Sequence, residues 1–318
     1  MSAARAKRSA AAPLVALAVA LVMAACGCQG GERTAPPRPP SPEESATSAR
    51  VLAVKIDNVG PARPQTGLDH ADIVYLEQVE AGLSRILAVY SSRLPAVVGP
   101  VRSARETDLE LLRQFDRPTL AYSGAQGKLT PLIDAARLDA LPPSKAPDAY
   151  FRSSDRAAPH NLYLRAARTP NATAGANAAA DIGLRFGPAP AGGKAVTEHT
   201  VRYPSARFVF TWSADRQRWL VAMDGAPART AEGERLGAAT VVVQSVTVRP
   251  SLFRDRSGNT SPYTETVGSG TALVLREGRA YETVWSRATA QSDTAFTTPD
   301  GKPMTFAAGQ VWIVYESR

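Results

Sequence analysis

Ala71-Asp-Ile-Val-Tyr-Leu-Glu-Gln-Val79 and Leu83-Ser-Arg-Ile-Leu-Ala-Val-Tyr90 decide how this chain is read. Both are short apolar runs rich in β-branched and aromatic side chains, and Ala81-Gly82 between them supplies a turn. They predict two neighbouring strands. Upstream, Val51-Leu-Ala-Val-Lys-Ile56 is a third run of the same kind, followed by a Gly- and Pro-punctuated loop from Asp57 to Gly67. Downstream, Ser103-Ala-Arg-Glu106 has the spacing of a capping box, with Leu109, Leu112 and Phe115 following at helical intervals. A helix from about Ala104 to Gln114 is therefore expected. Pro118-Thr-Leu-Ala-Tyr122 predicts a short strand and Lys128 to Leu138 a second helix. Leu141 to about Pro170 reads as loop, and Asn171 to Ala180 as an Ala/Asn-rich helix closed by Gly183.

After Gly187-Pro-Ala-Pro-Ala-Gly-Gly193 the texture changes. Arg207 to Trp212, Arg218 to Met223, Thr240 to Val248, Thr271 to Leu275 and Val311 to Tyr315 are strand-like runs separated by turn residues. The expected fold is α+β: a mixed α/β N-terminal domain over residues 51–190, then a β-rich C-terminal domain over 194–318. Internal repeats and coiled-coil heptads are absent from the pattern.

The first fifty residues carry an address rather than a fold. Arg5, Lys7 and Arg8 precede the uncharged run Leu14 to Met23, and Ala24-Ala25-Cys26 follows. Positive flank, apolar core and small residues before the cut are the order of a secretory signal peptide, residues 1–25. The run is about half the roughly 20 residues that a permanent membrane helix needs. A cysteine directly after the small residues predicts thioether lipidation of Cys26 and acylation, for example by palmitate, of the new amino terminus. An ordinary cleaved signal is the competing reading. Residues 26–50 then form a Pro-rich tether with almost nothing apolar to bury. The only cysteines are Cys26 and Cys28, so no disulfide, thiol nucleophile or Cys-based metal site is available to the folded part. The net charge of +8 falls to +5 once the three positive residues of the signal segment are removed. That mild excess suits anionic headgroups or wall polymers. Nucleic acid is not expected as a partner, because no basic run occurs.

Chemistry concentrates between Asp57 and Tyr163. Arg102 and Arg105 stand at the start of the expected helix, where free amides favour anions and guanidinium groups add paired donors. The competing reading is an ion-pair network with Asp57, Asp72, Glu77 or Glu80. His160 and Asn161 lie in an Arg- and Tyr-rich loop, where a histidine is a possible acid, base or ligand. The other two histidines, His70 and His199, are far away in sequence, so no metal site is expected. Nucleophile elbow, H-E-x-x-H, P-loop and dinucleotide fingerprints are all missing, and no cofactor is expected. Glu77 and Glu80 are paired carboxylates, but an offset of three on a strand puts them on opposite faces.

Val54-Lys-Ile-Asp-Asn58, Ala62-Arg-Pro-Gln-Thr-Gly-Leu68, Ala71-Asp-Ile-Val-Tyr75, Gly99-Pro-Val-Arg-Ser-Ala-Arg105 and Pro159-His-Asn-Leu-Tyr163 are ordered blocks. With Val267 to Gly270, Trp285 to Arg287, Asp300 to Lys302 and Gly309 to Ile313, they resemble the YerB-like bacterial lipoproteins. A Gly-Gly-x-Thr-Arg-like run is expected where Ala81-Gly82-Leu-Ser-Arg85 stands, with Arg85 kept. The resemblance implies a lipid-anchored, two-domain envelope protein and carries no catalytic residue, since that family is described as of unknown function. Its matching motif residues are Asp57, Asn58, Arg63, Gln65, Arg85, Arg102, Arg105, His160 and Asn161, and they are expected to converge. The functional expectation is a non-catalytic module at the cell membrane that binds peptidoglycan, another anionic envelope polymer or a wall-synthesis protein. The alternative is a wall-directed hydrolase or transferase using His160.

Overall fold

β1 (Leu52–Asp57), β2 (Ile73–Gln78) and β3 (Ser84–Tyr90) form where the apolar runs predict them in the computed structural model, which describes residues 51–170, 182–255 and 257–318. Nearly every residue of the three strands is buried. A strand with one wet face alternates in burial, so these must be covered on both faces. β3 lies between the other two and antiparallel to both, with Val54 opposite Ala88 and Tyr75 opposite Leu87.

The sheet extends in both directions. Thr119–Ala121 and Asp139–Leu141 continue it in parallel beyond β1. On the other side β2 pairs in parallel with Val311–Ser317, Val74 opposite Trp312, and Thr240–Val246, Gly268–Arg276 and Arg279–Arg287 follow. The resulting eleven-stranded sheet draws on both halves of the sequence. Main-chain hydrogen bonds therefore run through the division between them, and the described residues from Val51 to Arg318 belong to one compact unit.

One face of this sheet is covered by a five-stranded antiparallel sheet that includes Glu198–Tyr203, Ala206–Ser213 and Arg218–Met223. Phe208, Phe210, Trp219 and Val221 pack there with Val74, Leu76, Trp312 and Val314. The Phe210 and Trp312 rings meet edge-on at 6.1 Å, and the Trp312 indole N–H donates to Gln310 Oε1 at 2.7 Å. On the opposite face Ile73, Tyr75, Leu87, Val89 and Ile313 pack with Leu111, Leu112, Phe115 and Ile133, in and beside two short helices, α1 (Glu106–Leu111) and α2 (Thr130–Ala135).

The helices depart from the sequence expectation. α1 starts at Glu106, because Arg105 is extended (φ −127°) and the Ala104 amide is drawn to the Gly124 carbonyl. The carboxylate that reaches back to the cap is Asp108, which accepts the Arg105 amide at 2.7 Å, while Glu106 accepts from the Ser251 hydroxyl instead. α2 is shorter than Lys128 to Leu138, with Pro131 in its first turn and an extended Ala136 ending it. Tyr150–Arg152 and Leu162–Arg165, placed in a loop by the sequence, are strands that form a small sheet with Val97–Val98. The expected Asn171 to Ala180 helix lies outside the described residues, as do the signal segment and tether.

Trp312 is fully buried in the layer between the two sheets. Trp312→Ala should lower unfolding free energy by about 3–5 kcal/mol in urea titrations, through lost burial and the cavity left behind.

Candidate functional site

The site begins at a lysine shut off from the surface. Lys55 points from β1 into the helix-covered layer, fully buried. Its ammonium meets Glu77 of β2 and donates to Asp108 Oδ1 of α1 at 2.7 Å. Burial pushes Lys55 down to about 8, although Asp108 works against that shift. The second oxygen of Asp108 holds the Arg105 amide, so this ion cluster fixes where α1 starts and where Arg105 stands.

Arg105 then grips Glu80 through Nε–Oε1 at 2.6 Å and Nη2–Oε2 at 2.8 Å, a two-pronged guanidinium–carboxylate contact. Glu80 opens a tight turn in which Ala81 is left-handed (φ 56°), and it also accepts from the Ser261 hydroxyl. Burial alone would raise the Glu80 carboxyl, but Arg105, then Ser261 and Arg85, pull it down to about 2. Arg85 on β3 donates to the Ser103 carbonyl at 3.3 Å and stays 4.0 Å from Glu80.

Arg102 is placed by main-chain threading. The segment Gly99 to Arg102 is held between β1 and Leu162: Asp57 N–H donates to Pro100, Val101 N–H to Leu162 and Arg102 N–H to Lys55. Arg102 Nε lies 3.1 Å from Asp57 Oδ2, and His160 Nδ1 lies 2.9 Å from the same oxygen. His160 reaches it from a loop closed by Asn161, whose side chain accepts from Arg152 at 2.6 Å and donates to the Ser153 carbonyl at 3.0 Å.

Five of the nine sequence candidates thus face open space. Arg85, Arg102 and Arg105 line a cleft of about 820 Å3, and Asp57 and His160 line a smaller recess beside it. The other four brace. Gln65 donates to Asn58 Oδ1 at 2.7 Å, Asn58 donates to Ser84 at 3.0 Å, and Arg63 bonds the Asn58 carbonyl at 2.6 Å and Asp224 at 2.8 Å. Asn161 shapes the His160 loop. Asp72, weighed as an arginine partner, instead accepts from Ser91 and Ser92.

The structure adds residues that the sequence reading passed over. Arg152 lines the cleft from the small sheet, and Arg254 and Asp255 line it from the hairpin Val248–Arg254/Thr260–Thr264. That hairpin is seated on α1 by hydrogen bonds: Ser251 to Glu106 at 2.6 Å, Tyr263 to Glu110 at 2.6 Å and the Thr264 amide to Thr107 at 3.0 Å. Five arginines and three carboxylates line the cleft. Glu80 is taken by Arg105 and Glu106 by Ser251, while Asp255 accepts from its own turn through Ser257 and Asn259. Arg152 and Arg254 have neutral partners, Asn161 and the Gly258 carbonyl. The cleft is net positive and suited to an anionic ligand. Among the described residues no group of three or more His, Cys, Asp or Glu is gathered to hold a metal ion.

Comparison with known proteins supplies the family. The model described as "Protein of unknown function (DUF3048) N-terminal domain" matches residues 38–179, and its C-terminal counterpart matches 199–313. A Bacillus subtilis (strain 168) protein described as "Putative lipoprotein YerB" is 35% identical over 121 residues, 38% of this chain and 37% of that protein. The matched part is therefore well under half of that relative's length. The crystal structure of YerB from Bacillus subtilis superposes with a TM-score of 0.70 at 23% identity, over 86% of this chain and 93% of that one. At that identity the likeness is one of fold.

Two outcomes follow from the buried charges. Lys55→Met leaves Glu77 and Asp108 without their cation and should cost about 3–5 kcal/mol in urea titration. Glu80 is lower in the folded state than its unfolded value of 4.5, so its contribution is complete above pH 4.5 and is lost as pH falls toward 2. Glu80→Gln should flatten the fall in denaturation midpoint across that window.

Proposed function

This chain belongs to the DUF3048 family of YerB-like proteins, and from that premise we propose that it is a lipid-anchored binding module outside the cytoplasmic membrane. The lipid would sit on Cys26, after removal of residues 1–25, and residues 26–50 would hold the folded unit away from the membrane surface. The signal-like order of the first 26 residues supports this reading, as does the description of the Bacillus subtilis relative. Among the described residues no helix is long and apolar enough to cross a membrane.

The observation that carries the binding role is the cleft of about 820 Å3 on which Arg85, Arg102, Arg105, Arg152 and Arg254 converge from four separate segments. Its size lies within the range of small-ligand sites, roughly 300–1,000 Å3. Its charge supports an anionic occupant: peptidoglycan, another anionic envelope polymer, or an acidic segment of a wall-synthesis protein. Arg105 is committed to Glu80, so Arg102 and Arg152 are the residues to change.

A second reading, a wall-directed hydrolase or transferase, is favoured by one observation. His160 Nδ1 is held by Asp57 at the edge of open space, the orientation that a general base requires. Wall fragments released by the wild type and not by His160→Ala would establish it.

The folded unit, residues 46–318, should sediment with purified peptidoglycan or wall polymer in a salt-sensitive manner. Arg102→Ala and Arg152→Ala should each weaken that binding roughly ten-fold, the scale of one charge-assisted hydrogen bond. Equal retention of wild type and a folded double variant would reject the cleft as the binding site.

A further inference from the structure

Beside the large cleft lies a recess of about 260 Å3 whose lining includes Asp57, Glu80, Arg85, Arg102 and His160. Glu80, Arg85 and Arg102 line both spaces. A single carboxylate oxygen, Asp57 Oδ2, holds both the His160 imidazole and the Arg102 guanidinium at the recess. That arrangement leaves Nε2 of His160 and the two terminal nitrogens of Arg102 without a partner among the described residues.

Arg85 is the third group. Its side chain is 11% exposed, the one hydrogen bond that side chain makes among the described residues is a long one to the Ser103 carbonyl, and Glu80, 4.0 Å away, is already gripped by Arg105. Burial, and then the repulsion of Arg105, push this guanidinium down to about 10 even though Glu80 and Asp57 favour its charge. Arg85 and Arg102 share the recess lining with Asp57, Glu80 and Asp255, the last of which spends its oxygens on Ser257 and Asn259 of its own turn. Across the recess and the adjoining cleft together, five arginines meet four carboxylates, an excess of one positive charge before His160 is considered. A nearly buried guanidinium short of carboxylate is stabilised by any anion that reaches it.

From this geometry we infer that the recess is a phosphate subsite, in which Arg85 and Arg102 donate to the oxygens of a phosphomonoester or phosphodiester while the rest of the ligand lies in the larger cleft. The inference rests on the anion-binding role above and narrows it to one chemical class. Donors that arrive from β3, from the Gly99–Arg105 segment and from the His160 loop suit a tetrahedral group with several terminal oxygens. A carboxylate presents two coplanar oxygens, whereas the oxygens of a phosphate diverge toward donors that approach from different directions. His160 Nε2 faces the phosphate as acceptor to a protonated oxygen, or as donor when the ring is charged.

The test is calorimetric titration of residues 46–318 in a phosphate-free buffer with glycerol phosphate, inorganic phosphate and acetate. Glycerol phosphate is expected to bind at least about ten-fold more tightly than acetate. Arg85→Lys and Arg102→Lys keep the charge but lose the fork, and should each weaken phosphate binding roughly ten-fold at unchanged melting temperature. In the unsubstituted protein, phosphate should shift the ring signals of His160, identified by their loss in His160→Gln; this readout does not depend on how the arginine variants fold. Equal affinity for acetate, unaltered binding by both lysine variants, or an unmoved His160 signal would overturn the subsite. Flotation with phosphatidylglycerol but not phosphatidylcholine vesicles, competed by glycerol phosphate, would make the source a lipid headgroup; soluble phosphate binding without flotation would make it a polymer or free phosphate. Wall polymer retained by a protein that ignores phosphate would remove the subsite and leave the cleft reading standing, whereas failure of both ligands would remove both.

Discussion

Lys55 is the point from which the polar architecture of this protein is organised. An ammonium carried by a strand buried on both faces is costly unless paired, and Glu77 and Asp108 supply the pairing from a neighbouring strand and from α1. The consequence is positional. α1 is too short to hold itself, and its anchorage comes from apolar contacts beneath and from this buried charge. Once Asp108 is tied to Lys55, its second oxygen sets the Arg105 backbone, Arg105 sets Glu80, and the Glu80 turn carries one wall of the cleft. A chain of charge-assisted contacts thus connects the middle of the sheet to open space.

Two classes of polar residue emerge around that chain. Asn58, Arg63, Gln65 and Asn161 spend their hydrogen bonds on main chain, on each other and on the side chains of Ser84, Arg152 and Asp224, which stiffens the loops after β1 and before Leu162. Asp57, Arg85, Arg102 and His160 keep part of their capacity turned toward the recess. The second class depends on the first, because the His160 loop is held by Asn161 and by Arg156, which donates to the Ala62 and Pro64 carbonyls at 2.6 and 2.7 Å. The remaining wall comes from the hairpin at Val248–Thr264, seated on α1 through hydroxyl and amide donors to Glu106, Thr107 and Glu110. The cleft therefore needs both halves of the chain, consistent with the single sheet that joins them.

β1, β2 and β3 were legible because unbroken apolar runs bounded by Gly and Pro report burial on both faces, whatever the partners are. The β-rich character of the second half was legible for the same reason. Tyr150–Arg152 and Leu162–Arg165 were not, since strands of three or four residues carry too little periodicity and form through pairing with Val97–Val98. The helix cap misled in a similar way: Ser103 and Glu106 had the right spacing, but tertiary partners claimed Glu106 and left the role to Asp108.

The sequence by itself determined the buried strands, the turn at Ala81-Gly82, the segment that reads as a signal and tether, and the set of polar residues among which a site had to lie. Local pattern suffices for these, because each depends on neighbours within a few positions. Only the tertiary structure decided which of those polar residues face open space, that Arg152 and Arg254 join them, and that β2 pairs with Val311–Ser317 across more than two hundred positions. Arginine looks the same in sequence whether it grips a carboxylate or waits for an anion. The difference lies in the distance to the nearest partner, and that is set by how the sheet closes.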